Sequence, residues 1–218
     1  MSESKPLPAG VMLQRDKETY AARITPPSGV LTADDLEKMA AVVRKYDIPA
    51  VKITSGQRIG FYGLTRDNVH EVCGDMPFRT GGHYVQACPG TEWCKFAHTD
   101  AMALADMIEN RFGFEPVPAK VKFGISACNF SCGESYIRDI GFIGSPKGWT
   151  MIVGGNSGRK PRLGDVVAKQ LSTDDALEMT RRFLAFYSEN APEKKRTAHF
   201  IEKIGIETVK AELGLEPA

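Results

Sequence analysis

Four cysteines in two pairs carry the densest chemistry in this chain of 218 residues. The first pair closes the segment Cys88-Pro-Gly-Thr-Glu-Trp-Cys94, the second Cys128-Asn-Phe-Ser-Cys132. Grouped thiolates are soft ligands, and soft ligands select zinc, copper(I) or iron–sulfur clusters. A zinc turn sets about two to four residues between its paired cysteines, because one tight turn must aim both sulfurs at a small ion. Here the gaps are five and three residues. The five-residue gap exceeds that range and suits a larger body such as a cubane cluster, with zinc and redox thiols as the alternatives. Cys73, the fifth cysteine, ends an apolar helical pattern with Val69 and Val72 and reads as a buried structural thiol.

Further polar residues stand near turns and strand ends. Lys120 and Lys122 lie two apart at the start of an expected strand, the first just before its 121–126 core, so both point to one face. They read either as lysines blunting an edge strand or as an anion-binding pair on the strand that runs into Cys128. Gly154-Gly155-Asn156-Ser157-Gly158, followed by Arg159, Lys160 and Arg162, matches no Walker or dinucleotide fingerprint. It is an ordinary loop or a set of backbone donors approaching an anionic cofactor. Gln57 and Arg58 follow the turn at Ser55-Gly56. His83 is a ligand, an acid or a satisfied polar group; His70, His98 and His199 fall on expected helices and read as surface or structural.

The elements that must position these groups follow from periodicity and caps. Tyr20 to Thr25 reads as a strand, and Thr32 as the N-cap of a helix with Leu36, Met39, Ala40 and Val43 on one face. Val51 to Thr54 and Ile59 to Leu64 are extended, and Thr65 opens a helix through Val72. This unit resembles half of a ferredoxin-like sandwich. Beyond it the sequence predicts a helix over Lys95 to Phe112, the strand into Cys128, and an antiparallel pair at Ile140–Ile143 and Thr150–Val153. A long helix opened by Thr173 and a final helix through Leu213 complete the chain. The fold class is α+β: a ferredoxin-like half-domain over 1–75, then a mixed α/β module over 76–218.

Composition excludes several partners. Lys and Arg number 28 against 27 Asp and Glu, so no global field recruits nucleic acid. No apolar run approaches the ~20 residues that span a membrane, and Met1-Ser-Glu-Ser-Lys-Pro lacks the apolar segment of a secretory signal. The expected location is the cytoplasm, where thiols stay reduced.

Together, Cys-x5-Cys and Cys-x3-Cys resemble the sirohaem and 4Fe–4S signature of the sulfite and nitrite reductase family. Ile53-Thr54-Ser55-Gly56-Gln57-Arg58-Ile59 is similar to its sirohaem-side loop, Pro118-Ala119-Lys120-Val121-Lys122 to its substrate-lysine strand, and Gly154-Gly155-Asn156 to its cofactor loop. The likeness spans about residues 10 to 210 and is greatest to the small, single-module, assimilatory-type members. It implies that Cys88, Cys94, Cys128 and Cys132 hold a 4Fe–4S cluster, with Cys132 also bridging to a sirohaem (siroheme). It implies that Arg58, Gln57, Gly154, Gly155, Asn156 and Arg159 meet the sirohaem carboxylates. Lys120, Lys122, Arg58 and His83 would neutralise and protonate a sulfite anion during its six-electron reduction to sulfide. Nitrite reduction to ammonia, or cluster-only electron transfer, are the alternatives. No flavin or nicotinamide fingerprint is visible, so electrons are expected from a separate donor protein. The chain departs from many relatives in having Gly56 before Gln57, and His83 where an arginine is usual.

Overall fold

The structure, a computed structural model, describes residues 5–215; the first four residues of the stretch read above as lacking a secretory signal lie outside them. The chain divides into two compact units, one running to Gly82 and one from His83.

The first unit contains β1 (Met12–Leu13), β2 (Tyr20–Ile24), α1 (Ala33–Lys45), β3 (Ala50–Ile53), β4 (Ile59–Leu64) and α2 (Val69–Asp75). Its sheet has the order β1-β2-β4-β3, antiparallel throughout. Phe61 is the hinge of the register, opposite Ala22 on one side and Val51 on the other. Thr32 and Asp35 form a reciprocal capping box that starts α1. The helix lays Met39 and Val42 onto Ile24, Phe61 and Leu64, and Val69 and Val72 of α2 close the same core.

The second unit contains β5 (Tyr84–Ala87), α3 (Gly90–Trp93), α4 (Ala101–Phe112), β6 (Lys122–Ser126), β7 (Ile140–Ser145), β8 (Gly148–Val153) and β9 (Asp165–Leu171). Helices α5 (Thr173–Asn190), α6 (Thr197–Ile204) and α7 (Ile206–Glu212) follow. The sheet runs β5-β6-β7-β8-β9, with the first three strands parallel and each later pair antiparallel. Parallel strands are covered on both faces, and these read accordingly: Phe123, Ile125, Ile140 and Phe142 are all fully buried. Helix α4 supplies Leu104 and Ile108 to the same core, and α5 supplies Phe183 and Tyr187.

The ferredoxin-like sheet unit followed by a mixed α/β unit is the fold class expected from the sequence. Several elements differ. The helix expected from Lys95 begins only at Ala101, where the Asp100 carboxylate accepts the Ala103 N–H at 3.0 Å. Residues 94–100 are loop, which frees Cys94 from helical geometry and puts His98 on a loop. Strands β5 and β9 were not anticipated. The cap of α5 is Ser172, one residue before Thr173, and the final helix breaks in two at Gly205, whose φ is 85°. Among the described residues, no helix is long and apolar enough to cross a membrane.

Candidate metal centre

The two cysteine segments leave the sheet at the same end. Strands β5 and β6 are parallel, with Ala87 opposite Ile125, so Cys88 and the Ala127-Cys128 step emerge side by side from their carboxyl ends. Backbone hydrogen bonds fix the exit: Cys88 N–H donates to Ile125 O at 2.9 Å, and His98 N–H to Ala127 O at 2.9 Å. The Cys88 sulfur accepts the Ala127 N–H at 3.1 Å. Further out, the rings of Phe96 and Phe130 meet edge-on with centroids 5.2 Å apart, joining the loop after Cys94 to the turn between Cys128 and Cys132.

The second turn is tightly built. Ser131 N–H closes on Cys128 O at 3.2 Å, and Glu134 N–H on Ser131 O at 2.8 Å. Ser131 and Glu134 both adopt left-handed backbone, φ 54° and 57°, on either side of Cys132. Left-handed non-glycine residues are uncommon and collect at functional turns. The buried Ser126 hydroxyl accepts the Gly133 N–H at 2.9 Å. Gly133 passes so close to Ile125 that a Cβ there would lie 2.3 Å from its carbonyl oxygen. Cys132 is therefore held between an anchored glycine and a constrained turn.

All five cysteines are free thiols. The four in the paired segments form a gradient: Cys88 is buried, Cys94 and Cys128 are half-buried, and Cys132 is exposed. Among the described residues, no three His, Cys, Asp or Glu side chains form a group that could hold a metal ion. The donor set nevertheless suits an iron–sulfur cluster. Four thiols come from two loops at one sheet end, and one sulfur already takes a backbone N–H of the kind that stabilises cluster-bound thiolates. Cys73 lies in the first unit, half-buried beside its core, and burial raises its thiol pKa.

The cationic candidates are placed elsewhere. Lys122 begins β6 and Cys128 lies beyond its far end, so the four steps from Lys122 to Ser126 alone extend about 13 Å at ~3.3 Å per residue. Lys120 precedes the strand on the same side. Lys122 sits 5.7 Å from the centroid of the Tyr84 ring. Its ammonium has a pKa below the usual lysine value, mainly through burial and then through the nearby Arg196. Beneath it lies a buried polar hub unnoticed in the sequence. Asp139, fully buried, accepts the Lys122 N–H at 2.8 Å and the Thr197 hydroxyl at 2.6 Å, and pairs with the Arg196 guanidinium. Arg138, also buried, donates to Tyr84 Oη and Gln86 Oε1, each at 2.6 Å, and pairs with Glu134.

Residues Gly154, Gly155 and Asn156 close the same end of the sheet as Lys122, because β8 runs antiparallel to β7. Their glycines meet close packing: a Cβ on Gly155 would lie 2.5 Å from the carbonyls of Tyr136 and Arg138. Gly154 N–H donates to Asp139 O, and Asn156 exchanges backbone hydrogen bonds with Arg162. Arg159 is exposed.

His83 is a satisfied polar group. Its Nδ1 accepts the Val121 N–H at 3.2 Å while Nε2 lies 2.8 Å from Glu115 O. These partners select the neutral tautomer with hydrogen on Nε2, so a second proton would set Nδ1–H against an N–H. Arg58 and Gln57 belong to the first unit. The Arg58 guanidinium is buried, donating to Thr25 Oγ1 at 2.8 Å, Gly81 O at 2.5 Å and Gly82 O at 3.2 Å. Gln57 adopts left-handed backbone at φ 55°. The structure thus brings the four cysteines to one sheet end and leaves Lys120, Lys122 and the glycine-rich loop at the other.

Comparison with known proteins accounts for this organisation. Residues 83–217 match the nitrite and sulphite reductase 4Fe-4S domain, and residues 12–75 match the nitrite/sulfite reductase ferredoxin-like half domain. The chain belongs to the nitrite and sulfite reductase family. It is 47% identical to the assimilatory-type sulfite reductase of Nitratidesulfovibrio vulgaris, covering 93% of this chain and 96% of that one. It is 37% identical to the NAD(P)H nitrite reductase of Bacillus subtilis, over 92% of this chain and only 26% of that protein. Among solved structures, dissimilatory sulfite reductase I superposes with a TM-score of 0.82 at 12% identity, over 92% of this chain and 70% of that one. The NirA protein of Mycobacterium tuberculosis superposes with a TM-score of 0.78 at 19% identity, over 89% of this chain and 39% of that one. These structural likenesses show the fold alone. The family resemblance carried by the cysteine spacing stands.

Proposed function

We propose that this chain is an assimilatory-type sulfite reductase that converts sulfite to sulfide, with a 4Fe–4S cluster and a sirohaem as resident cofactors. The observation that carries the reading is that the two cysteine-bearing segments leave a parallel strand pair at the same end, tied together by the Cys88–Ala127 hydrogen bond. When bound, these cofactors supply the electron relay and the metal centre that no side chain can provide. The chain's own part is to hold and shield. Cys88 anchors from the core through its hydrogen bond with Ala127. Cys94 and Cys128 are half-buried, each two residues before one ring of the Phe96–Phe130 contact. Cys132, exposed on its constrained turn, is the thiol free to face a second group.

The identity of 47% across nearly the whole length of a sulfite reductase favours sulfite over nitrite, since the nitrite reductase match covers a quarter of that enzyme. Electrons come from a separate donor protein in the reducing cytoplasm. The test is anaerobic turnover with a chemically reduced dye. A kcat/KM for sulfite above that for nitrite supports the proposal. A reversed preference makes the chain a nitrite reductase, and turnover of neither by fully loaded protein makes it an electron carrier.

A further inference from the structure

The parallel pair β5 and β6 has two unlike faces. Val85, Ala87, Phe123 and Ile125 belong to the apolar core. Alternation therefore sends Tyr84, Gln86, Lys122 and Gly124 to the opposite face, with Gln86 level with Gly124. The chain that leads from Cys132 to β7 crosses this second face. A Cβ on Gly124 would stand 2.4 Å from Gly133 O and 2.6 Å from Arg138 Cγ. The space left by that missing side chain is filled by the residue after Cys132 and by the stem of Arg138.

Arg138 is only 4% exposed. Its Nη1 donates to Tyr84 Oη and its Nη2 to Gln86 Oε1, each at 2.6 Å, and Nη2 also pairs with Glu134. Its Nε is buried and has no hydrogen-bond partner among the described residues. The positive charge is thus incompletely answered. Tyr84 and Gln86 bring dipoles only, and the Glu134 side chain is 45% exposed, so water shares its charge. The partners of Arg138 flank both cysteine segments. Glu134 stands two residues after Cys132, and Gln86 two residues before Cys88. At ~3.3 Å per residue the second step spans about 7 Å. A buried charge at such range acts through protein rather than water and is weakly screened by salt.

We propose that Arg138 acts on the cysteine centre by charge, holding up the reduction potential of the 4Fe–4S cluster. The inference rests on the proposed cluster at Cys88, Cys94, Cys128 and Cys132 and adds a residue outside that ligand set. Net charge near a cluster is one of the terms that set its potential, and a fixed cation favours the state with one electron more. Arg138 supplies that cation from the covered face of the sheet, where water cannot dilute it. Glu134 tempers it from the solvent side. The two residues therefore pull the potential in opposite directions, although they are joined in one ion pair.

The experiment is an anaerobic redox titration of the full, cofactor-loaded chain. The cluster is followed by electron paramagnetic resonance, and iron and acid-labile sulfide are measured in each sample. Arg138→Met is expected to lower the potential, while Arg138→Lys, which keeps the charge, leaves it near the parent value. Glu134→Gln is expected to raise it, and by less, because a half-exposed carboxylate is partly screened. That variant leaves the buried groups in place, so it tests the charge even where Arg138→Met does not fold. Equal potentials in parent and variants overturn the proposal. So does a shift of the same sign in Arg138→Met and Glu134→Gln, which a loosened turn would give. A parent chain that takes up no iron and sulfide would overturn the cluster reading itself, and the role of Arg138 with it.

Discussion

The sulfur of Cys88 accepts the backbone N–H of Ala127 at 3.1 Å, so the first cysteine of one pair is tied to the residue preceding the first cysteine of the other. The bond crosses from the end of β5 to the end of β6 and makes the two loops one structure. Cys88→Ser is expected to lower iron and acid-labile sulfide per chain, because the shorter oxygen ligand misplaces the most buried donor. Cys73→Ser, in the other unit, should leave both contents unchanged. Metal analysis of the two variants checks the assignment; equal loss in both would refute it.

The Phe96–Phe130 pair should govern how firmly the centre is closed. An edge-on aromatic pair contributes about 0.5–1.5 kcal/mol beyond area burial, and this one is exposed enough to lie at the low end. Phe130→Ala is expected to load normally but to lose its cluster faster to an iron chelator, followed as bleaching of the visible absorption.

Asp139 is expected to dominate stability at the opposite end of the sheet. Asp139→Ala leaves the Lys122 N–H and Thr197 hydroxyl unsatisfied and the Arg196 guanidinium without its acid. Breaking a buried pair costs about 3–5 kcal/mol, and partial exposure of Arg196 points to about 3. Urea denaturation should show the loss, with iron content preserved in the folded fraction.

Lys122 should show the reverse sign. Its folded pKa lies below the unfolded value of 10.5, chiefly through burial. Between the two values the unfolded chain binds more protons, so the contribution of this group to stability rises with pH. The cost of keeping it charged is fully present below the folded value and gone above 10.5. Lys122→Met is therefore expected to be more stable than the parent at neutral pH, with the difference shrinking as pH nears 10.5, measured by urea denaturation across that range.

His83→Ala removes an acceptor from Val121 N–H and a partner from Glu115 O, at a cost of about 1–3 kcal/mol. Because both ring nitrogens are already committed to backbone, the pH profile of turnover should not move. A shifted profile would return His83 to the chemistry.

The cysteine spacing, the α+β order and the cap at Thr32 were legible in the sequence because each rests on local chemistry. The position of the lysines was not. Lys122 runs in sequence toward Cys128, and alternation assigns it a face, but an extended strand carries residues apart as fast as it joins them. Periodicity also continued Lys95, Phe96 and Ala97 into the next helix, which starts only at Ala101 behind the Asp100 cap. Strand β5 is four residues long and wholly buried, and only its parallel neighbour β6 distinguishes it from loop. Asp139 left no local signal, since its partners Arg196 and Thr197 stand 57 and 58 residues away.

The most direct test of the central claim is the visible absorption spectrum of protein purified without oxygen, recorded before and after sulfite is added. The account predicts bands of an iron isobacteriochlorin that shift with sulfite, and their loss in Cys132→Ser. Broad iron–sulfur absorption alone, from fully loaded protein and unmoved by the anion, would contradict it.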